Sequence, residues 1–213
     1  MLHFIDQYDV DFGETGASLF AAEFGAEYDS LRESNLKSKD LTNKSFSLFE
    51  RFSYFEYIRY DFIAMNIYDI LIGNQDRHPF NWQILFRDDK SFFGPLYDNG
   101  ASLGWQLSDR ELKQMLESQP RMNQYFKRTK VKAGLLEDKQ PPLRANHVLN
   151  YLKVNYPKEM NKVEALLRNF DTDIYHKFIE EFPLISDIRK EFLVKLINFR
   201  MEKLLEILQK EEE

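Results

Sequence analysis

Residues 71–82 read Leu-Ile-Gly-Asn-Gln-Asp-Arg-His-Pro-Phe-Asn-Trp, and residues 95–100 read Pro-Leu-Tyr-Asp-Asn-Gly. Upstream of the first run, Phe52, Phe55, Ile58, Phe62 and Met65 recur at spacings of three and four, and Ile63, Ile67 and Ile70 widen the stripe. That pattern predicts a helix buried on much of its surface. Ser47 and Glu50 fit a capping box at its start, and Gly73 is the residue type that closes a helix in a left-handed turn. After Asn81 the period falls to about two, with Trp82, Ile84 and Phe86 alternating with Gln83, Leu85 and Arg87. A polar Asp88-Asp89-Lys90-Ser91 then precedes a second apolar run from Phe92 to Tyr97, which predicts a β-hairpin. Pro95 confines its second strand to an edge or a bulge.

Polar groups are thus crowded between a buried helix and a hairpin, where simple turn residues would suffice for folding. With the turn centred on Asp89-Lys90, paired positions sum to 179, so Arg87 faces Phe92, Trp82 faces Tyr97 and Asn81 faces Asp98. Directly opposed side chains have Cβ atoms about 4.5–5.5 Å apart. An amide oxygen and a carboxylate at that spacing can share one hard divalent cation such as Mg²⁺. Asp76 precedes Asn81 in the loop between helix and hairpin, beside the pair without needing to be a ligand. Two oxygen ligands for a nucleotide-bound cation, with a separate Asp for the attacking hydroxyl, suit phosphoryl transfer. Positioning and charge neutralisation would supply most of the rate.

On these residues the chain resembles the HipA-like atypical serine/threonine kinases. It shares Asp-Arg-His-x-x-Asn with phosphatidylinositol kinases, and Asp-x₄-Asn with the protein-kinase catalytic loop. The resemblance implies that Asp76 is the catalytic base, that Asn81 and Asp98 hold Mg²⁺ and through it ATP, and that His78 braces the loop. Arg77 is expected to fix the same loop by pairing with a carboxylate. The implied fold is mainly α with a small β-hairpin, a protein-kinase-like C-lobe over residues 47–213. Residues 1–46 form an N-terminal segment, irregular or the remnant of an inter-lobe region. The implied partners are a protein substrate, and either a polypeptide supplying an N-lobe or, in a toxin–antitoxin pair, an antitoxin.

No glycine-rich G-x-G-x-x-G loop and no lysine in an apolar strand precede the site, so the ATP-clamping N-lobe is expected to be missing or reduced. Asp11-Phe12-Gly13 spells the kinase magnesium motif at the wrong place and is read as coincidence. Two rivals stay open: a non-catalytic, pseudokinase-like regulatory module, favoured by the missing lysine, and a lipid kinase, allowed by the shared loop pattern.

Composition narrows the field further. The 213 residues carry 35 acidic and 29 basic side chains, a net charge of −6, which disfavours direct nucleic-acid binding and anionic membranes. With no cysteine, disulfides, thiolate metal sites and cysteine nucleophiles are excluded. Aromatic residues make up 15% of the chain, so the core is expected to be built largely of rings, Trp82 and Trp105 among them. No run is apolar enough to cross a membrane. The start, MLHFIDQYD, does not read as a signal peptide. The chain is expected to be cytoplasmic. Beyond Ser108 the patterns are helical: Ser108 and Glu111 form a capping box, Pro141-Pro142 interrupts, and Ser186 caps a long amphipathic helix packed on its own domain. The Lys-Glu-Glu-Glu end reads as a solvated tail.

Overall fold

The structure, a computed structural model, describes residues 8–137 and 139–209. Chain order begins with β1 (Phe12–Thr15), α1 (Gly16–Phe24), α2 (Ala26–Arg32), α3 (Ser38–Phe49) and α4 (Phe55–Ile72). A 3-10 turn (Pro79–Asn81) leads into β2 (Gln83–Arg87) and β3 (Lys90–Phe93). Next come α5 (Asp109–Leu116), α6 (Gln119–Lys127), β4 (Lys130–Val131) and β5 (Leu143–Arg144). The chain then runs through α7 (Ala145–Asn155), α8 (Pro157–Arg168), α9 (Thr172–Glu181) and α10 (Asp187–Gln209). It is mostly helical, with one three-stranded and one two-stranded antiparallel sheet. The readings that rest on residues 1–7 and 210–213, the absent signal peptide and the solvated tail, lie outside the described residues.

The stripe through Phe62 places α4 at the centre of the main core, where Ile58, Phe62 and Ile70 are fully buried. Gly73 ends the helix at φ 68°, the left-handed turn that its residue type favours. Ser47 does not cap α4. It lies in the last turn of α3, and Tyr54 is the residue before α4 begins. The polar run over 29–46, within the segment expected to be irregular or a remnant, holds the end of α2 and most of α3. Leu41 and Phe46 are buried, and so are Thr42 and Ser45 beside them, with the Ser45 hydroxyl donating to the Leu41 carbonyl at 2.7 Å. A buried face that includes small hydroxyl residues reads as exposed by composition alone. Positions 46 and 47 both lie inside α3, and β1, α1, α2 and most of α3 occupy the bulk of residues 12–46, with Phe20, Tyr28, Leu31 and Leu41 in the main core.

Phe12-Gly13 belongs to β1, which pairs antiparallel with β2 from Phe12 opposite Phe86 to Thr15 opposite Gln83. Gly16 follows because Trp82 lies against its backbone; a Cβ there would come within 2.2 Å of the indole. Trp82 is the hub of the aromatic core. Its ring stacks on Phe93 at 5.6 Å, meets Phe62 and Phe20 edge-on, and its Nε1–H donates to the Gly134 carbonyl at 2.9 Å. Trp105, by contrast, is 55% exposed and is not a core ring.

The hairpin register differs from the expected one. Arg87 faces Lys90 and Ile84 faces Phe93, so paired positions sum to 177 and the turn is Asp88-Asp89. Asp88 takes φ 50°, a left-handed position that Asp tolerates better than most residues. β3 is an edge strand and ends before Pro95.

A second apolar cluster joins α5 and α6 to α10 around Leu112, Met122 and Phe192. The Ser108 capping box is present, with Glu111 Oε2 accepting from the Ser108 N–H at 2.8 Å. Ser108→Ala is expected to cost about 1 kcal/mol, read as a lower urea midpoint with an unchanged slope. The Arg189 N–H donates to the Ser186 hydroxyl at 3.3 Å at the start of α10. The buried face of α10, including Leu196 and Leu204, packs within this chain.

Candidate phosphoryl-transfer site

The loop from Gly73 to Trp82 is organised around one buried ion pair. Asp69 lies in the last turns of α4, 0% exposed, among Ile67, Ile70 and Leu71. Its Oδ2 accepts from Arg77 Nε at 3.0 Å, and its Oδ1 from Asn74 Nδ2 at 2.9 Å. Burial pushes the Asp69 carboxyl up from the usual carboxylate range, against the pull of Arg77 and Asn74. Such a pair is held by geometry and by satisfying every donor, because desolvation offsets much of its attraction.

Arg77 is 0% exposed and uses its whole fork. Nη1 donates to the carbonyls of Asn81 at 2.7 Å and Tyr97 at 2.5 Å, and Nη2 donates to Asn99 Oδ1. The Arg77 carbonyl accepts from the Gly134 N–H at 2.7 Å. One guanidinium therefore ties the end of α4, the 3-10 turn and the segment after the hairpin. Two backbone bonds repeat that tie: Gln75 N–H to the Ala101 carbonyl at 3.1 Å, and Leu103 N–H to the Ile72 carbonyl at 2.8 Å.

The sequence-selected residues sit on this network, although not through strand pairing. Asn81 lies in the 3-10 turn and Asp98 in irregular chain, beyond the last rungs of the ladder, so they are not cross-strand partners. Arg77 brings them together instead, since the carbonyls of Asn81 and of Tyr97, next to Asp98, share one nitrogen. Asn81 Nδ2 donates to the Asp76 carbonyl at 2.9 Å, which turns its amide oxygen away from that carbonyl. The side chains of Asp76 and Asp98 make no hydrogen bond or ion pair with the described residues; Asp76 is half-buried and Asp98 exposed. Asp98 takes φ 53°, a strained backbone of the kind that gathers at functional sites.

His78 holds the loop by its backbone, its N–H donating to Asp76 and its carbonyl accepting from Asn81 at 2.9 Å. Its ring contributes an edge contact with Phe80 at 5.7 Å, and its Nδ1 is buried without a partner among the described residues.

The donor set fits a hard cation. Among the described residues no three His, Asp or Glu side chains gather as a metal-binding group. A cation here would take the Asn81 amide oxygen, the Asp98 carboxylate and oxygens from outside the protein. Mg²⁺ is commonly held that way, by one or two carboxylates, water and phosphate.

Sequence reasoning missed Asp69, Asn74, Asn99 and Arg200. The signal for Asp69 was a lone carboxylate within the apolar run Ile67–Ile72, where a charge requires a partner. Arg200 left no such signal. It is 2% exposed, sits beneath Gly73, and its Nη1 donates to the Ile70 carbonyl at 2.8 Å, at the negative end of α4. Burial without a carboxylate pulls its guanidinium down to about 10.

No family model matches the chain. Over 157 residues it is 29% identical to the serine/threonine-protein kinase CtkA of Helicobacter pylori strain J99, covering 68% of this chain and 45% of that one. The crystal structure of the Helicobacter pylori proinflammatory kinase CtkA superposes with a TM-score of 0.70 at 21% identity. That match covers 92% of this chain and 66% of the other. The chain thus spans about half the length of the curated relative it matches. In sequence it is similar to a serine/threonine kinase, and it has that kinase's fold.

Proposed function

We propose that the protein is a HipA-like kinase lobe that transfers the γ-phosphate of ATP to a serine or threonine hydroxyl of a protein, with Mg²⁺ as cofactor. Asp76 orients the hydroxyl and accepts its proton. Asn81 and Asp98 hold the cation, which neutralises charge developing on the transferred phosphate. Arg77 sets the distance between the two halves of this arrangement, with His78 bracing the loop by its backbone. No G-x-G-x-x-G run occurs in the 213 residues, and among the described residues no lysine lies in a strand before the Asp76 loop, so a further polypeptide segment would supply the phosphate clamp. The observation that carries the reading is the sharing of one buried guanidinium by the Asp76–Asn81 loop and the Tyr97–Asn99 segment.

Nucleotide titration by calorimetry, with and without Mg²⁺, and transfer of labelled phosphate to a protein acceptor test it. Asp76→Asn is expected to lower transfer by about 10²–10⁴-fold at unchanged nucleotide affinity. Asp98→Asn is expected to remove the Mg²⁺ dependence of binding. Failure to bind nucleotide under any condition overturns the reading in favour of a non-catalytic module, which the absent lysine would then explain. Transfer to phosphoinositide vesicles in preference to protein would reassign the acceptor.

A further inference from the structure

Beside the site, a cavity of about 800 Å³ opens between α4, the end of β3 and α8. Its size falls within the roughly 300–1,000 Å³ of pockets that enclose a small organic ligand. The walls are aliphatic and aromatic, and Asp61 is the single charged side chain among the described residues that line them. Asp61 makes no hydrogen bond or ion pair with the described residues. Asp61 is an exposed residue of α4 that lines the cavity beside apolar surface with no counter-charge among the lining residues, and the partial desolvation of its carboxyl pushes it up from the usual range. Two helical turns along the same face of α4 lies Tyr68. Tyr175 and Phe170 add rings from the opposite side, the former held by a hydroxyl bond to the Leu193 carbonyl at 3.3 Å.

An anion would meet repulsion from Asp61 here, and a neutral hydrocarbon would desolvate the carboxylate without compensation. A cation on an apolar body satisfies both parts, with tyrosine faces able to add cation–π attraction. We propose that this cavity binds a lipophilic organic cation, its ammonium group at Asp61 and its apolar body against Leu71, Leu96 and Leu166. The site is distinct from the phosphoryl-transfer residues and independent of that reading. The Leu96 wall nevertheless leads directly into Tyr97 and Asp98.

Calorimetric titration of the whole chain at neutral pH with dodecylammonium and with dodecanoate, both below micelle formation, separates charge from chain length. Dodecylammonium is expected to bind about tenfold more tightly, the scale of one charge-assisted contact in a partly desolvated setting. Asp61→Asn, at an exposed position, is expected to keep the native melting temperature and bring the two affinities together. Equal affinity for both probes in the native chain, or a preference that survives Asp61→Asn, overturns the proposal. Failure of dodecylammonium to bind also overturns it.

Discussion

Arg77→Ala is expected to destabilise the protein by about 3–5 kcal/mol, because it leaves the Asp69 carboxylate buried and unpaired. Since small domains are stable by roughly 5–15 kcal/mol in total, the variant should unfold at a fraction of the native urea midpoint. The same substitution releases the carbonyls of Asn81 and Tyr97 and the Asn99 amide, so any nucleotide binding should disappear under conditions where the protein is still folded. Arg77→Lys separates the two effects. It keeps the charge opposite Asp69 but offers no planar fork, so much of the stability should return while the Tyr97–Asn99 segment stays loose. Asp69→Ala should destabilise as strongly as Arg77→Ala, and the double variant less than the sum of the two, because the pair acts as a unit. Additive losses in that cycle would show that Arg77 does not depend on Asp69.

Trp82→Ala carries the other large effect, about 3–5 kcal/mol, by opening a cavity between Phe20, Phe62 and Phe93 and orphaning the Gly134 carbonyl. Trp82→Phe should recover most of the packing and lose chiefly the indole hydrogen bond. The loss in Trp82→Ala is expected to fall on the whole cooperative unit, since the indole joins β3, α1, α4 and the Gly134 loop. A two-state transition at lower denaturant, by fluorescence and by circular dichroism alike, is the outcome that checks it. Separate transitions would show instead that the sheet and the helical core unfold independently.

What could be read in the sequence follows physical range. The body of α4, its end at Gly73, and the caps at Ser108 and Ser186 are set by residues within a few positions of one another, and all were legible. The hairpin was legible as an element but not in register: four consecutive polar residues allow more than one turn, and Asp88 entering the left-handed region selects the shorter loop. β1 was invisible because its four residues have no partner within 60 positions; Phe12 pairs with Phe86. Helix α3 left no clear apolar stripe in the sequence because its buried face includes Thr42 and Ser45. Asp76, Asn81 and Asp98 were picked out by spacing, by a hairpin register the structure does not keep and by the family resemblance, while the Arg77 network that ties their segments was not. Arg77 was expected to find a carboxylate; that it would also collect two carbonyls and an amide from separate segments is a property of the folded chain.

Arg200 carries a consequence for biosynthesis. Its guanidinium braces the last turn of α4 from 130 residues downstream, and the loop bearing Asp76 springs from that turn. During translation, α4 and the hairpin emerge long before α10 does. A nascent chain therefore holds every oxygen-bearing residue of the site while the underside of Gly73 is still empty. The loop gains this support only once α10 has packed against the end of α4.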